Sequence, residues 1–243
     1  MSKYMADIVQ SAMCKTFIIP RPMPSIFFFP GLHAQPLYEN KHFEFTNILK
    51  KRTSIIIKEY EKWHSKPSTV SDYKLKTDEH TLHKGSWEWS SYIMKGVKQT
   101  EFAVNCPETT LALESVPGLM HSVPFSYAFF STLKKNSQIA PHTGPCNIRL
   151  RCHLPLVVPD GDCGMNIGGH DIKWKVGEPI IFDDCYEHYV WNNTDQDRVV
   201  LLFDIWHPSL HPEEVTSIEE MFRYAKDQGW GSGKDNKSQK DDE

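Results

Sequence analysis

The sequence predicts a mainly β domain with flanking helices, built as a sandwich or jelly roll. Three observations predict it. Residues 147–157 alternate strictly between apolar and polar positions, the two-residue period of a strand. Downstream, short apolar runs recur between turn residues, ending in the run from Arg198 to Trp206. A helical period is confined to segments outside this region.

In chain order, the first 40 residues are rich in Pro and Phe and are expected to lie extended across a body formed later. Residues 43–64 place Phe45, Ile48, Leu49, Ile56, Tyr60 and Trp63 among Lys and Glu, the spacing of an amphipathic helix. Thr109 to Val116 predicts a shorter helix, with Glu114 on its polar face and Pro117-Gly118 closing it. From about residue 122 the period changes. In the strand at 147–157, Ile148, Leu150, Cys152, Leu154 and Leu156 share one face, and Arg149, Arg151 and His153 the other. Pro159-Asp160-Gly161 is turn chemistry. Strands are expected at 171–176, 179–183 and 187–192, with turns at Gly177-Glu178 and Asn192-Asn193. Arg198 to Trp206 is the last strand, stopped by Pro208. Ser217 to Asp227 predicts a terminal helix capped by Ser217, with Glu219-Glu220 in its first turn. The organisation expected is one globular domain: an N-terminal segment with helices packing on the core (1–121), a catalytic core (122–210), a C-terminal helix (211–228) and a solvated, disordered tail (229–243).

The polar face at 147–157 would ordinarily be a solvated strand face. Its company argues otherwise. His142 precedes it within Pro-His-Thr-Gly-Pro, and His188 follows Phe182-Asp183-Asp184 inside a strand. Neutral imidazoles suit iron(II), and two on neighbouring strands can take adjacent positions on an octahedral metal. Arg198 opens an apolar strand, Val199-Val200-Leu201-Leu202-Phe203, where a buried cation is costly unless an anion meets it. A guanidinium fits the remote carboxylate of a dicarboxylate such as 2-oxoglutarate. A structural Arg198–Asp204 pair is the alternative. His207 is expected to pack at a strand end, and His170 lies in a Gly-Gly-His-Asp turn that could face the site. His33, His42, His64, His80, His83, His121 and His211 share no ligand spacing.

Pro141-His142-Thr143-Gly144-Pro145, Arg149-Leu150-Arg151-Cys152-His153-Leu154, Gly177-Glu178, Ile181-Phe182-Asp183-Asp184, Glu187-His188, Arg198 and Asp204-Ile205-Trp206-His207-Pro208 together resemble the aspartyl/asparaginyl β-hydroxylase family. The resemblance is dense over 122–210 and thins to Phe28-Phe29-Pro30-Gly31-Leu32 and Gly85-Ser86-Trp87 upstream. It implies a double-stranded β-helix of the cupin-like, jelly-roll kind, using iron(II), 2-oxoglutarate and O2. It implies His142 and His188 as catalytic metal ligands, and Arg151, His153, Arg198, Ser131 and Trp87 as the 2-oxoglutarate site. Most such oxygenases place a carboxylate two residues after the first ligand histidine. Gly144 stands there, a vacancy this family is known for.

The function expected is hydroxylation of a C–H bond, with the β-carbon of Asp or Asn in a peptide or protein favoured. The alternatives are a lipid or small-molecule acyl group, a non-catalytic β-barrel binding module, or a cupin-like metalloenzyme without 2-oxoglutarate. With 40% hydrophobic, 12% aromatic and 24% charged residues the chain can bury a substantial core. A net charge of −4 carries no basic footprint, so no nucleic-acid partner is expected. No apolar run is long enough for a membrane span, and no secretory signal is recognised. The six cysteines form no Cys-x-x-Cys pair and are expected to be reduced thiols in a cytoplasmic protein.

Overall fold

The computed structural model describes residues 20–65, 71–72 and 82–229. Cys14, His80, the tail beyond residue 229 and the first 19 residues of the expected extended segment lie outside the described residues. Two antiparallel sheets face each other, the layered form of a double-stranded β-helix. The larger has seven strands in the order β1-β10-β7-β12-β5-β3-β4. These are β1 (Leu37–Tyr38), β10 (Ile180–Phe182), β7 (Arg149–Val157), β12 (Arg198–Trp206), β5 (Ala128–Leu133), β3 (Trp87–Met94) and β4 (Val97–Lys98). The smaller has five in the order β2-β6-β11-β8-β9: β2 (His83–Lys84), β6 (Ser137–His142), β11 (His188–Asn192), β8 (Cys163–Ile167) and β9 (His170–Ile172).

Every strand in the larger sheet's centre is covered on both faces. Leu150, Cys152, Leu154 and Leu156 of β7 meet Phe45, Leu49, Ile56 and Tyr60 of helix α1 (Phe45–His64) in the outer core. Burying such a side chain contributes roughly 2 kcal/mol. The opposite face of β7 turns toward the smaller sheet, so its polar residues lie inside the molecule. Between the sheets, Phe129, Ile139, Met165, Ile167, Phe182, Val190, Val200 and Leu202 form a second core. Helices α2 (Thr100–Asn105) and α3 (Pro107–Glu114) complete the outer layer.

The N-terminal strap runs extended, as expected. Ser25, Ile26 and Phe27 donate backbone hydrogen bonds to Gly144 and Pro145, beside the Pro-His-Thr-Gly-Pro segment. Phe27 packs edge-on against Phe222 of helix α4 (Pro212–Asp227) at 5.6 Å between centroids.

Several boundaries differ from the sequence reading. Helix α4 begins at Pro212, whose ring presets helical φ at the first position. His211 caps it, its backbone N–H donating to Glu214 Oε2 at 2.8 Å, whereas Ser217 Oγ donates to Glu213 O at 2.9 Å within the helix. Ile48 is 42% exposed and lies off the buried stripe of α1. The strand expected at 171–176 stops at Ile172, and Trp174 turns into the inter-sheet core. His142, expected only to precede the strand at 147–157, closes a strand of its own, β6. Residues upstream of 122 also supply strands: β3 pairs with β5 in the larger sheet and β2 with β6 in the smaller. No helix among the described residues is long and apolar enough to cross a membrane.

Candidate active site

Strand register brings the two ligand candidates together. In the smaller sheet His188 of β11 stands opposite His142 of β6, and their rings lie 4.0 Å apart between centroids. Each ring is held the same way. His142 Nδ1 bonds Ala140 O at 2.8 Å, and His188 Nδ1 bonds Tyr186 O at 2.9 Å. A carbonyl accepts only, so Nδ1 carries the proton and the lone pair of each Nε2 is left to serve a metal. Burial lowers the pKa of His142, and burial followed by the neighbouring His142 brings His188 down to about 3. Both imidazoles are therefore neutral at physiological pH, as a metal ligand must be.

Opposite them, the larger sheet presents a ladder of inward side chains. Arg198 shares a rung with Leu133 and Trp87. Val200, Ser131 and Trp89 form the next, and Leu202, His153 and Phe129 the one after. Asp204 pairs with Arg151 on the last, where Tyr127 N donates to Asp204 Oδ2 at 3.1 Å.

Arg198 is 1% exposed and meets no carboxylate among the described residues. Its Nη1 reaches only Ser131 O at 3.3 Å and Ser131 Oγ at 3.5 Å, its Nε has no partner, and its guanidinium lies 4.8 Å over the Trp174 ring. Burial lowers its pKa to about 10. The expected alternative, an Arg198–Asp204 pair, does not form. Asp204 pairs with Arg149 and Arg151, because its rung lies three removed from that of Arg198. A cation this deeply buried requires an anion, and none of the described side chains supplies one.

Ser131 is buried and accepts a hydrogen bond from Trp87 Nε1 at 2.9 Å. With Arg198 Nη1 also donating toward it, its hydroxyl proton is left to point at a third group. Trp87, Ser131 and Arg198 thus form one constellation. His153 connects it to the histidine pair. Its ring is 4.9 Å from Phe182, which is in turn 5.9 Å from His188. Burial drives the pKa of His153 well below the ordinary value, with Arg198 and Arg151 adding to the effect, and its Nδ1 lacks a partner.

Arg151 belongs to an ion network that its position on the polar face did not reveal. Its Nε and Nη2 donate to Asp204 at 2.9 and 3.2 Å, and its Nη1 lies 3.2 Å from Asp184 Oδ2. Arg149 joins the same network, with Nη2 2.6 Å from Asp184 Oδ2 and Nη1 3.1 Å from Asp204 Oδ2. Two cations and two anions balance, and both carboxylates are fully buried. Burial pushes the Asp184 carboxyl upward, but Arg149 and Arg151 outweigh it and hold it well below the usual range.

Gly144 is forced by this network. A Cβ there would meet Asp184 Oδ1, Cγ and Oδ2 at 2.4, 2.5 and 2.6 Å. The space that a side chain at position 144 would need is occupied by the pinned side chain of Asp184. Among the described residues, Asp183, Asp184 and Cys185 also bring three ligand-type atoms together. Asp184 is neutralised by two guanidinia, however, and burial keeps the Cys185 thiol protonated. The histidine pair is the better metal donor set.

Sequence reasoning missed Arg149, Trp174, Phe182 and Asp184 as parts of the site. Arg149 was legible through its register with Arg151. Trp174 lies beyond its strand and carried no signal. His207 sits at a strand end as expected, bonding His33 O at 3.0 Å.

Residues 50–208 match the family described as Aspartyl/Asparaginyl beta-hydroxylase. The chain belongs to this family. It is 29% identical over 198 residues to the Aspartyl/asparaginyl beta-hydroxylase of Homo sapiens, covering 80% of this chain and 26% of that protein. It is 30% identical over 208 residues to the Aspartate beta-hydroxylase domain-containing protein 2 of Mus musculus, covering 82% of this chain and 59% of that one. It is 31% identical over 182 residues to the Ornithine lipid ester-linked acyl 2-hydroxylase of Rhizobium tropici, covering 73% and 62%. The chain therefore spans between about a quarter and three-fifths of these family members. The histidine pair, Arg198 and Ser131 all lie inside the matched residues.

The pKa shifts set a pH dependence. His188 and His153 are depressed in the folded protein, so the unfolded chain takes up protons first as pH falls. Their contribution is complete above about pH 6.5 and is lost below it, at up to about 1.4 kcal/mol per pH unit for each buried ring. The urea midpoint of the metal-free protein is expected to fall between pH 7 and about pH 5. A midpoint constant across that range, in a His153→Phe background as well as wild type, would show that these rings are not desolvated.

Proposed function

We propose that this chain is an iron(II)- and 2-oxoglutarate-dependent hydroxylase. The observation that carries the proposal is Arg198, a fully buried guanidinium without an anion, one His153 away from two imidazoles whose Nδ1 atoms are tethered. His142 and His188 would hold iron(II) through Nε2. Arg198 and the Ser131 hydroxyl would bind the remote carboxylate of 2-oxoglutarate, with Trp87 orienting Ser131. His153 and Arg151 would line the co-substrate between anchor and metal.

Iron(II) bound with 2-oxoglutarate and oxygen supplies the oxidising power: the co-substrate becomes succinate and carbon dioxide, and one oxygen atom enters a substrate C–H bond. The residues of the chain bind, orient and exclude water. Burial of Arg198 strengthens its attraction for a carboxylate, because the pair forms in a poorly screened interior. The Nδ1 tethers hold both imidazoles in the ligating tautomer before metal arrives. The Arg149–Asp184–Arg151–Asp204 network fixes the floor between the two strands that carry the site.

The resemblance favours the β-carbon of Asp or Asn in a peptide as the carbon hydroxylated. A lipid-linked acyl group is the alternative, supported by the name of one relative, the ornithine lipid ester-linked acyl 2-hydroxylase of Rhizobium tropici. Anaerobic addition of iron(II), then of 2-oxoglutarate, is expected to raise the melting temperature in two steps. At 100 times the dissociation constant each step is worth about 2.7 kcal/mol, or roughly 5–10 °C for a chain of this size. His142→Ala and His188→Ala should remove the iron step, and oxygen should then release succinate from wild type only. A response to neither ligand would leave a non-catalytic β-barrel module. A response to iron alone, without succinate, would point to a cupin-like metalloenzyme.

A further inference from the structure

Trp174 lies in the turn between strands β9 and β10, and its backbone is pinned on both sides. Next to it, Lys173 Nζ donates to Cys163 O at 2.9 Å and lies 5.3 Å over the Trp191 ring. On the other side, Gly177 N donates to Pro155 O at 2.9 Å, and Pro179 O accepts from Asn40 Nδ2 at 2.7 Å. The indole is 5% exposed and belongs to the inter-sheet core. There the Arg198 guanidinium lies 4.8 Å over its ring, and the His153 ring is 6.3 Å away. Trp174 Nε1 has no hydrogen-bond partner among the described residues, and neither do Arg198 Nε and His153 Nδ1. Buried indole N–H groups ordinarily find a partner. Three unmatched polar atoms therefore cluster at this ring, which marks a place built for a polar ligand and not a closed core.

Resting on the iron- and 2-oxoglutarate-dependent reading, we infer that Trp174 is a positioning residue: its indole face holds the Arg198 guanidinium in the orientation that receives the remote carboxylate of the co-substrate. The contacts of Arg198 with Ser131 are long, at 3.3 and 3.5 Å, and do not by themselves fix a guanidinium. The ring face carries the negative part of an aromatic quadrupole, and a cation stripped of water gains most from it. The indole thus offsets part of the cost of burying Arg198 without being an anion. A carboxylate on the co-substrate can then pair with the guanidinium without displacing a charged protein partner, which an Asp or Glu at position 174 would not permit. A ring that only filled the core would serve every keto acid equally. A ring that holds Arg198 serves one with a remote carboxylate.

The test measures the affinity of two keto acids by calorimetry, with iron(II) and without oxygen: 2-oxoglutarate, and 2-oxopentanoate, which has a methyl group in place of the remote carboxylate. Trp174→Leu should weaken 2-oxoglutarate roughly tenfold, the fold-change of a desolvated cation–π contact, and leave 2-oxopentanoate within about twofold. Trp174→Phe keeps an aromatic face and should lose about threefold, again for 2-oxoglutarate alone. It carries the test where Trp174→Leu does not fold. In the Arg198→Met background neither substitution should cost further affinity. Urea melts of the metal-free protein form an independent arm. There Trp174→Leu should lower the folding constant several times more with Arg198 present than in the Arg198→Met background. Equal weakening of both keto acids, or a loss that survives Arg198→Met, overturns the inference and leaves the hydroxylase reading standing. Wild type that binds neither keto acid overturns the hydroxylase reading instead. The metal-free melts then still decide whether Trp174 holds Arg198: a greater loss with Arg198 present supports it, and equal losses overturn it.

Discussion

Replacing Arg198 with methionine is expected to stabilise the ligand-free protein while abolishing its response to 2-oxoglutarate. The two effects have opposite signs because the residue is a cation in an apolar strand, 1% exposed, with no carboxylate partner and an unbonded Nε. Methionine fills similar volume without charge, and replacement of buried charged groups by apolar ones is commonly neutral or stabilising by about 1–4 kcal/mol. The melting temperature of the metal-free variant should therefore match or exceed wild type. Its affinity for 2-oxoglutarate should drop by roughly two to three orders of magnitude, the cost of removing one member of a buried, hydrogen-bonded charge pair. Thermal melts with and without iron(II) and 2-oxoglutarate read both at once. A destabilised variant that still binds the co-substrate would mean that Arg198 is structural. Arg198→Lys separates charge from geometry: an ammonium keeps the charge but cannot make the two-pronged contact.

Restoring a carboxylate at position 144, by Gly144→Asp, should disrupt the site instead of completing it. The new Cβ would lie 2.4–2.6 Å from the Asp184 carboxylate. A flexible side chain could swing away cheaply. Asp184 cannot, since Arg149 holds it at 2.6 Å and Arg151 at 3.2 Å, and Gly144 N donates to its backbone oxygen. Displacing it leaves the buried Arg149 and the partly buried Arg151 sharing one carboxylate, a loss of about 3–5 kcal/mol. For a chain this long that lowers the melting temperature by roughly 10 °C or more. Gly144→Ala should show most of the same loss, because the clash begins at Cβ. Asp184→Asn is the control. It keeps the shape and removes the charge, so a comparable loss there identifies the ion network as the cause. A fully stable Gly144→Asp protein would refute the packing argument.

Much of the site was legible because its chemistry is local. His142 stood out through Pro-His-Thr-Gly-Pro, and Arg198 through a cation opening an otherwise apolar run. The alternation of β7 correctly put Arg151 and His153 on one face. It could not say whether that face was wet, since periodicity records which residues share a side and not what covers it. Strand β5 escaped notice for a related reason. Its residues are buried on both faces, so Ala128 to Leu133 shows no alternation. Helix α4 was misplaced at its start because Ser217 is a common cap, whereas the cap in use depends on Glu214 reaching back to His211.

The sequence by itself determined the fold class and singled out the histidine pair and the lone arginine, because each depends on residue type and on spacing along one strand. The tertiary structure alone decided which charges meet. Asp204 could have served Arg198 on sequence grounds, and the register of β12 against β7 gave it to Arg149 and Arg151 instead. The same register left Arg198 without an anion among the described residues, while the loop after β10 set Asp184 in the volume that a side chain at position 144 would need. These are pairings between residues far apart in the chain. Their physical cause is strand alignment, which fixes distance in space where the sequence fixes only order.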